Sequence, residues 1–436
     1  MPVDLKQELM PCVRCGQCRS VCPVFLAKGV ESDAPRGRVT LVRALLEGRI
    51  DPTDILNEKI QQCLLCRTCV QECPSGVHVE RIIIAAREKL AGVTGISREK
   101  KLVVRWLLPN LQRLRLFLPV IARVQGLLAR RVNNSDYQAP RFNVPLAGRR
   151  LLPVLTGHTI ATMSSGGKPF PATASSLKAE KTGVVAGANM TPEAAATDNG
   201  LKKQARVAFF TGCLMNYGYP HVGRDVVEVL QRNLVEVVIP EKQVCCGLPM
   251  LAAGDRNTFN RMREENLRAL RSIHSDAVIT ACASCGSTLK EFYAGELEAP
   301  IYDFSEFLLA IDFRPPRGTM VQNVTYHDPC HLRKAQGIKS QPRQLLKSVP
   351  GLTLKEVSNP DRCCGFGGTF SLTYPDLART IGVTKVKDLM QTGADTVVTA
   401  CPGCMLQLAS GLYSQGSQAK VLHLAELLAA SYRAEE

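Results

Sequence analysis

The sequence predicts an α+β multidomain chain: a helical N-terminal unit followed by two repeated α/β units, each with a Rossmann-like parallel sheet. Two observations predict it. Residues 1–95 carry eight of the eighteen cysteines, in two matching runs. Farther along, short β-branched apolar runs alternate with helical patterns, and the whole order occurs twice. Alternation of that kind marks βαβ units and parallel sheets, and self-similarity at a steady separation marks an internal duplication.

The N-terminal unit rests on its cysteines. CVRCGQCRSVCP sets Cys12, Cys15, Cys18 and Cys22 in the spacing C-x2-C-x2-C-x3-C-P, and CLLCRTCVQECP repeats it with Cys63, Cys66, Cys69 and Cys73. This is the bacterial two-cluster ferredoxin pattern, in which the fourth cysteine of each run ligates the other cluster. One [4Fe–4S] cluster is therefore assigned to Cys12, Cys15, Cys18 and Cys73, and the other to Cys63, Cys66, Cys69 and Cys22. Three closely spaced cysteines wrap three corners of a cubane, the proline turns the chain away, and the fourth corner is closed from elsewhere. Structural zinc prefers paired knuckles separated by a longer loop.

Residues 96–131 form a basic connector. Between Lys100 and Arg131 stand eight Lys or Arg and no acid, interleaved with leucine, valine and phenylalanine. Pro109 and Pro119 are expected to break it into short helices. Two readings stay open: helices packed between the flanking units with their arginines in solvent, or a peripheral contact with an anionic membrane face. Residues 132–204 turn rich in Ser, Ala, Gly and Pro without a steady period, the mark of a flexible linker.

The repeated units are expected at 205–315 and 316–436. In the first, RVAFFTGC, VEVVIP, VCCG and AVITACASC follow in order; in the second, NVTYHDPC, LKEV, RCCG and TVVTACPGC do. Cys213 and Cys330 are 117 apart, Cys245 and Cys363 are 118, and Cys282 and Cys401 are 119. The cysteines fall where strands run out, the edge at which open α/β sheets bind ligands.

Each repeat supplies five: Cys213, Cys245, Cys246, Cys282 and Cys285, then Cys330, Cys363, Cys364, Cys401 and Cys404. Five exceed what a four-coordinate zinc or a simple cubane needs. Adjacent cysteines point in different directions, so both meet one metal group only if it is large or irregular. A non-cubane iron–sulfur cluster satisfies this, as does a cubane with a spare thiol. The glycine after each pair relieves a turn in which the backbone comes close to the site. A disulfide between neighbours would be strained.

The spacings C-x31-CC-x35-C-x2-C and C-x32-CC-x36-C-x2-C resemble the cysteine-rich CCG domains of heterodisulfide reductases, anaerobic glycerol-3-phosphate dehydrogenase and glycolate or lactate oxidases. DAPRGRVTLVRALLEG, ECPSGVHVERII, HDPCHLRKAQG and CCGFGGTFSLTYPDLAR are most similar to the glycolate and D-lactate oxidase iron–sulfur subunit family. The resemblance spans nearly the whole chain outside the linker. It implies an oxidoreductase subunit whose partner, an FAD-containing 2-hydroxy-acid dehydrogenase, delivers electrons for passage through the clusters to a quinone or other acceptor. Both five-cysteine sets are complete, as in catalytic heterodisulfide reductases, where non-cubane clusters cleave disulfides. That implies an alternative reading, a disulfide-reducing subunit.

The rest of the sequence narrows the field. Eighteen cysteines with no charged-then-apolar leader point to a reducing, cytoplasmic setting and to metal rather than disulfides. No uncharged apolar run reaches the length of about 18 residues that spans a bilayer. The formal charge of +15 falls once clusters bind, since a four-thiolate cubane carries about −2. Few aromatics interleave with the basic residues, so nucleic acid is not an expected partner. Neither a Gly-rich phosphate fingerprint nor a Ser-His-Asp pattern is present, and no catalytic residue is assigned. Arg36 and Arg38 are expected to screen a nearby cluster. His327 and His331, flanking Cys330, are expected to make ordinary hydrogen bonds or caps; the other reading is that they tune the second repeat's cluster or move protons during disulfide reduction.

Overall fold

The computed structural model describes residues 4–96, 105–106, 108–132, 135–141, 150–155, 159–160 and 204–436. In the N-terminal unit, short helices at Leu5–Leu9, Pro23–Lys28, Pro35–Leu46, Asp54–Gln61, Thr68–Gln71 and Val79–Val93 surround the two cysteine runs. Prolines open two of them, Pro23 directly after Cys22, because the ring presets the first helical φ and forfeits an N–H that has no helical partner there. Val39, Val42, Ile60, Ile82, Ile83 and Leu90 form the apolar core beneath the runs.

From the end of the connector, a small antiparallel sheet joins β1 (Ala129–Arg131), β2 (Tyr137–Pro140) and β3 (Leu152–Pro153). Two differences from expectation lie here. Pro119 sits inside one helix, Leu111–Leu128, instead of dividing it. Its ring is exposed, so water on that side replaces the hydrogen bond a proline removes. The stretch read as linker also contributes β2 and β3; its residues 161–203 lie outside the described ones.

The two repeats share one topology. In the first, β4 (Ala205–Phe209), β5 (Val235–Val238), β6 (Ala277–Thr280) and β7 (Ile301–Asp303) lie in the order β5-β4-β6-β7, with every pairing parallel. In the second, β8 (Gln322–His327), β9 (Leu352–Leu354), β10 (Thr396–Thr399) and β11 (Lys420–His423) lie in the equivalent order β9-β8-β10-β11, again parallel. All four residues of β6 and of β10 are buried, as expected of central strands covered by helices on both faces.

In each sheet the chain crosses one way from the first strand and then returns to its other side. The switch point therefore falls between β4 and β6, and between β8 and β10. Cys213 and Cys330 stand in the first turns after β4 and β8, and Cys282 and Cys401 cap the helices after β6 and β10. The repeats meet with these carboxyl edges facing one another. The Ala283 N–H donates to the Ala400 carbonyl at 3.2 Å, and a His423 ring nitrogen bonds the Ala281 carbonyl at 2.9 Å. The N-terminal unit packs on both repeats, through Val79–Val93 against Leu248–Ala253 and through Pro23–Lys28 against Pro375–Met390.

Candidate metal centre

The eight N-terminal cysteines line two neighbouring cavities. Cys12, Cys15, Cys18 and Cys73 line one, Cys22, Cys63 and Cys66 the other, and Cys69 borders both. The wrapping loops are built alike. Arg14 and Leu65 each follow the first cysteine of a run by two residues, with φ of 59° and 56°, and Gly16 and Arg67 follow at 88° and 60°. A non-glycine residue held there costs about 1–3 kcal/mol, and such strain gathers where a ligand is held.

Electrostatics call for cations among these thiols. Burial pushes Cys22 up to about 11, although Arg38 opposes the shift. Burial, followed by its neighbouring thiols, pushes Cys69 well above the thiol range. A metal group relieves that repulsion by binding the thiolates. Arginines then balance the resulting negative charge. Arg36 borders the first cavity and donates to the Arg14 carbonyl at 3.1 Å. Arg38, 1% exposed, borders the second; its Nε bonds the Lys59 carbonyl at 2.8 Å, while Nη2 has no partner among the described residues.

All ten repeat cysteines line a single chamber of about 330 Å³ between the two sheets. Leu64 and Leu65 of the N-terminal unit and Leu151 and Leu152 from the segment read as linker also reach it. The adjacent pairs behave alike. Hydrogen bonds from Cys245 and Cys285 hold Cys246 well below the usual thiol range, and Cys363 and Cys404 do the same for Cys364. Cys285 and Cys404 are pushed well above it, by those same bonds and by burial.

The glycine after each pair is obligatory for the turn. Gly247 and Gly365 have φ of 92° and 86°. An added Cβ would stand 2.4 Å from the Phe259 ring in one case and 2.5 Å from the Ala378 carbonyl oxygen in the other.

The N-terminal cavities and the chamber are continuous through thiols. Cys66 and Cys363 pack in one buried cluster, and the neighbouring Cys363 thiol, with burial, pushes Cys66 well above the thiol range. Around it, a His331 ring nitrogen bonds the Leu65 carbonyl at 3.1 Å and Lys334 Nζ donates to Thr68 Oγ1 at 2.6 Å. Arg67 pairs with Glu291 of the first repeat. Arg87, fully buried, donates to the carbonyls of Ile60, Gln61 and Cys63 and, across the boundary, to Ala252. None of these ties is visible as a motif.

The two histidines differ from each other. His331 makes ordinary hydrogen bonds, its other ring nitrogen meeting Ser284 Oγ at 3.0 Å. The His327 ring makes none among the described residues, and burial, with Lys385 beside it, holds it down at about 3.

A dicluster iron–sulfur unit bound to a duplicated cysteine-rich α/β unit defines the class: an iron–sulfur subunit of an oxidoreductase. A 4Fe-4S dicluster domain matches residues 8–77, and a cysteine-rich domain matches twice, at 207–290 and 324–409. The chain is 31% identical to the probable glycolate oxidase iron-sulfur subunit of Bacillus subtilis, over 97% of this chain and 93% of that one. It belongs to that family. It is also 31% identical to lactate utilization protein A 2 of Bacillus cereus, over 51% of this chain and 98% of that one. Among solved structures, a hypothetical protein from Helicobacter pylori shares the fold, with a TM-score of 0.52 at 10% identity, over 99% of this chain and 73% of that one.

Proposed function

We propose that the chain passes electrons from the FAD of a partner 2-hydroxy-acid dehydrogenase subunit, acting on glycolate or lactate, to a quinone or another acceptor. Cys12, Cys15, Cys18 and Cys73 hold one [4Fe–4S] cluster in this reading, and Cys22, Cys63, Cys66 and Cys69 hold the second. The five-cysteine sets hold further clusters of non-cubane shape. When bound, these groups supply one-electron carriers. The chain's own residues hold the ligands, balance their charge and exclude water from the chamber.

The observation that carries the reading is the contact of Cys66 with Cys363. Cys66 of the second N-terminal set lies against Cys363 of the second repeat, which supports a path between the two sets, while Cys15, in the outer set, is exposed. The sites thus form one file from the surface to the chamber. The stripe Phe117, Val120, Val124 and Leu127, all exposed beside Arg123, supports peripheral contact with the cytoplasmic face of the membrane, where a quinone resides. Among the described residues no helix is long and apolar enough to cross a membrane.

Iron and acid-labile sulfide after anaerobic purification should approach about 16 per chain for four filled sites. Glycolate or lactate added to the chain reconstituted with its flavoprotein should then bleach the cluster absorption. A reduced flavin beside clusters that stay oxidised would sink the proposal. The chamber lined by ten cysteines favours one alternative, a heterodisulfide-reductase-like subunit. That alternative requires disulfide reduction with an artificial donor and no flavoprotein.

A further inference from the structure

His327 ends β8 and is 1% exposed, yet neither ring nitrogen has a hydrogen-bond partner among the described residues. A buried polar group left unpaired destabilises the fold, so an imidazole so placed calls for a partner other than the polypeptide. The geometry shows where that partner would sit. A ring nitrogen of His327, Cys364 Sγ and Cys404 Sγ all lie within 4.8 Å of one another, and the two sulfurs are 3.4 Å apart. Donors at about 2.0–2.3 Å from one tetrahedral metal stand about 3.3–3.8 Å apart. Small rotations would bring all three to a single iron.

The first repeat lacks this arrangement. Position 210 precedes His327 by 117 residues, the same interval that separates Cys213 from Cys330, and it holds phenylalanine. Phe210 is fully buried and offers no lone pair. A second difference acts in the same direction. Asn266 of the first repeat, whose amide bonds the Cys245 carbonyl at 3.0 Å, is matched 119 residues later by Lys385. Lys385 is fully buried and donates to the Asn359 carbonyl at 2.9 Å. The second site therefore carries a cation where the first has a neutral amide.

We propose that His327 supplies a nitrogen ligand to the iron–sulfur cluster of the second repeat, making that site a mixed nitrogen–sulfur one while the first is held by sulfur alone. The proposal rests on the reading of the second repeat as a cluster site. Both repeats keep five cysteines, so His327 takes an iron corner in place of one of the second repeat's thiolates; neutral imidazole there removes negative charge from the cluster and raises its reduction potential. The duplication thus yields two unequal electron sites, and the second repeat, which the N-terminal unit touches through Cys66, is the stronger acceptor.

The test uses the anaerobically purified holoprotein with [15N]histidine in an otherwise 14N chain, read by pulsed EPR on the repeat-cluster signal. The expected result is a histidine-nitrogen coupling well above the weak backbone couplings, retained in His331→Ala and absent in His327→Phe. In His327→Phe the reduction equilibrium of the second cluster should also fall at least tenfold, about 59 mV for a one-electron couple. A cluster signal without histidine coupling in the unsubstituted chain, or a coupling that survives in His327→Phe, overturns the proposal. An iron content that stops near 8 per chain, with both N-terminal clusters intact, overturns the underlying reading of the repeats and the ligand with it.

Discussion

Arg87→Met removes the guanidinium that fastens the second cysteine run to the first repeat, while keeping a similar apolar stem. Four backbone carbonyls, those of Ile60, Gln61, Cys63 and Ala252, lose their donor. Hydrogen bonds from a charged donor contribute about 1.5–3 kcal/mol each. Against them stands the cost of burying the cation. Burial depresses the Arg87 pKa from its ordinary value to about 10, which corresponds to about 3 kcal/mol. Taking the low end for each bond, the net loss is about 3 kcal/mol. A cooperative unit of about 150–250 residues would melt roughly 6–12 °C lower for that loss. Calorimetry of the holoprotein measures this, with Arg87→Lys, which keeps the charge but one donor group, falling between. A Tm within 2 °C of the unsubstituted chain would refute the claim that Arg87 joins the two units.

Three further outcomes are expected. Gly247→Ala and Gly365→Ala place a Cβ at 2.4 and 2.5 Å from fixed neighbours; iron content should show each substitution emptying its own repeat while the N-terminal cluster signals persist. Burial alone would raise Asp33, but Lys28 and Lys59, at 2.7 and 3.1 Å, hold it below its ordinary 3.8. Its stabilisation is complete well above pH 3.8 and disappears as pH falls through the lower folded value. The stability gap between the unsubstituted chain and Asp33→Asn should therefore be full at pH 7 and close in acid, as denaturant titrations would show. Val124→Asp with Leu127→Asp should abolish sedimentation with anionic vesicles if the exposed stripe docks there, and binding unchanged by both substitutions would exclude that face.

The local grammar of this protein is legible in its amino-acid order. The triple x2 spacing of Cys12, Cys15 and Cys18 works within one loop, so the gathering of these thiols around one cavity is encoded over a dozen residues. The 117–119 residue interval between matched cysteines forces two equal sheets, because equal strand and helix patterns bury their apolar faces in equal ways. Pro119 misleads, since a helix break depends on whether the freed carbonyl meets water, which is a matter of exposure. The strands at Tyr137–Pro140 and Leu152–Pro153 carry too little pattern to be seen, being short and held by one another.

What the sequence alone determined was the cysteine inventory, the duplication and the family. What only the tertiary structure decided was their arrangement: that both repeats open onto one chamber, that Cys66 meets Cys363, that Arg87 ties the N-terminal unit to the first repeat, and that the buried His327 ring has no hydrogen-bond partner among the described residues. The physical reason is distance along the chain. Ligand spacing and strand alternation act between near neighbours and leave a periodic trace. Contacts between residues hundreds of positions apart arise from how finished units pack; a single side chain such as Arg87 leaves no pattern by which to foresee them, and the place of His327 beside Cys330 does not foretell its lack of a hydrogen-bond partner.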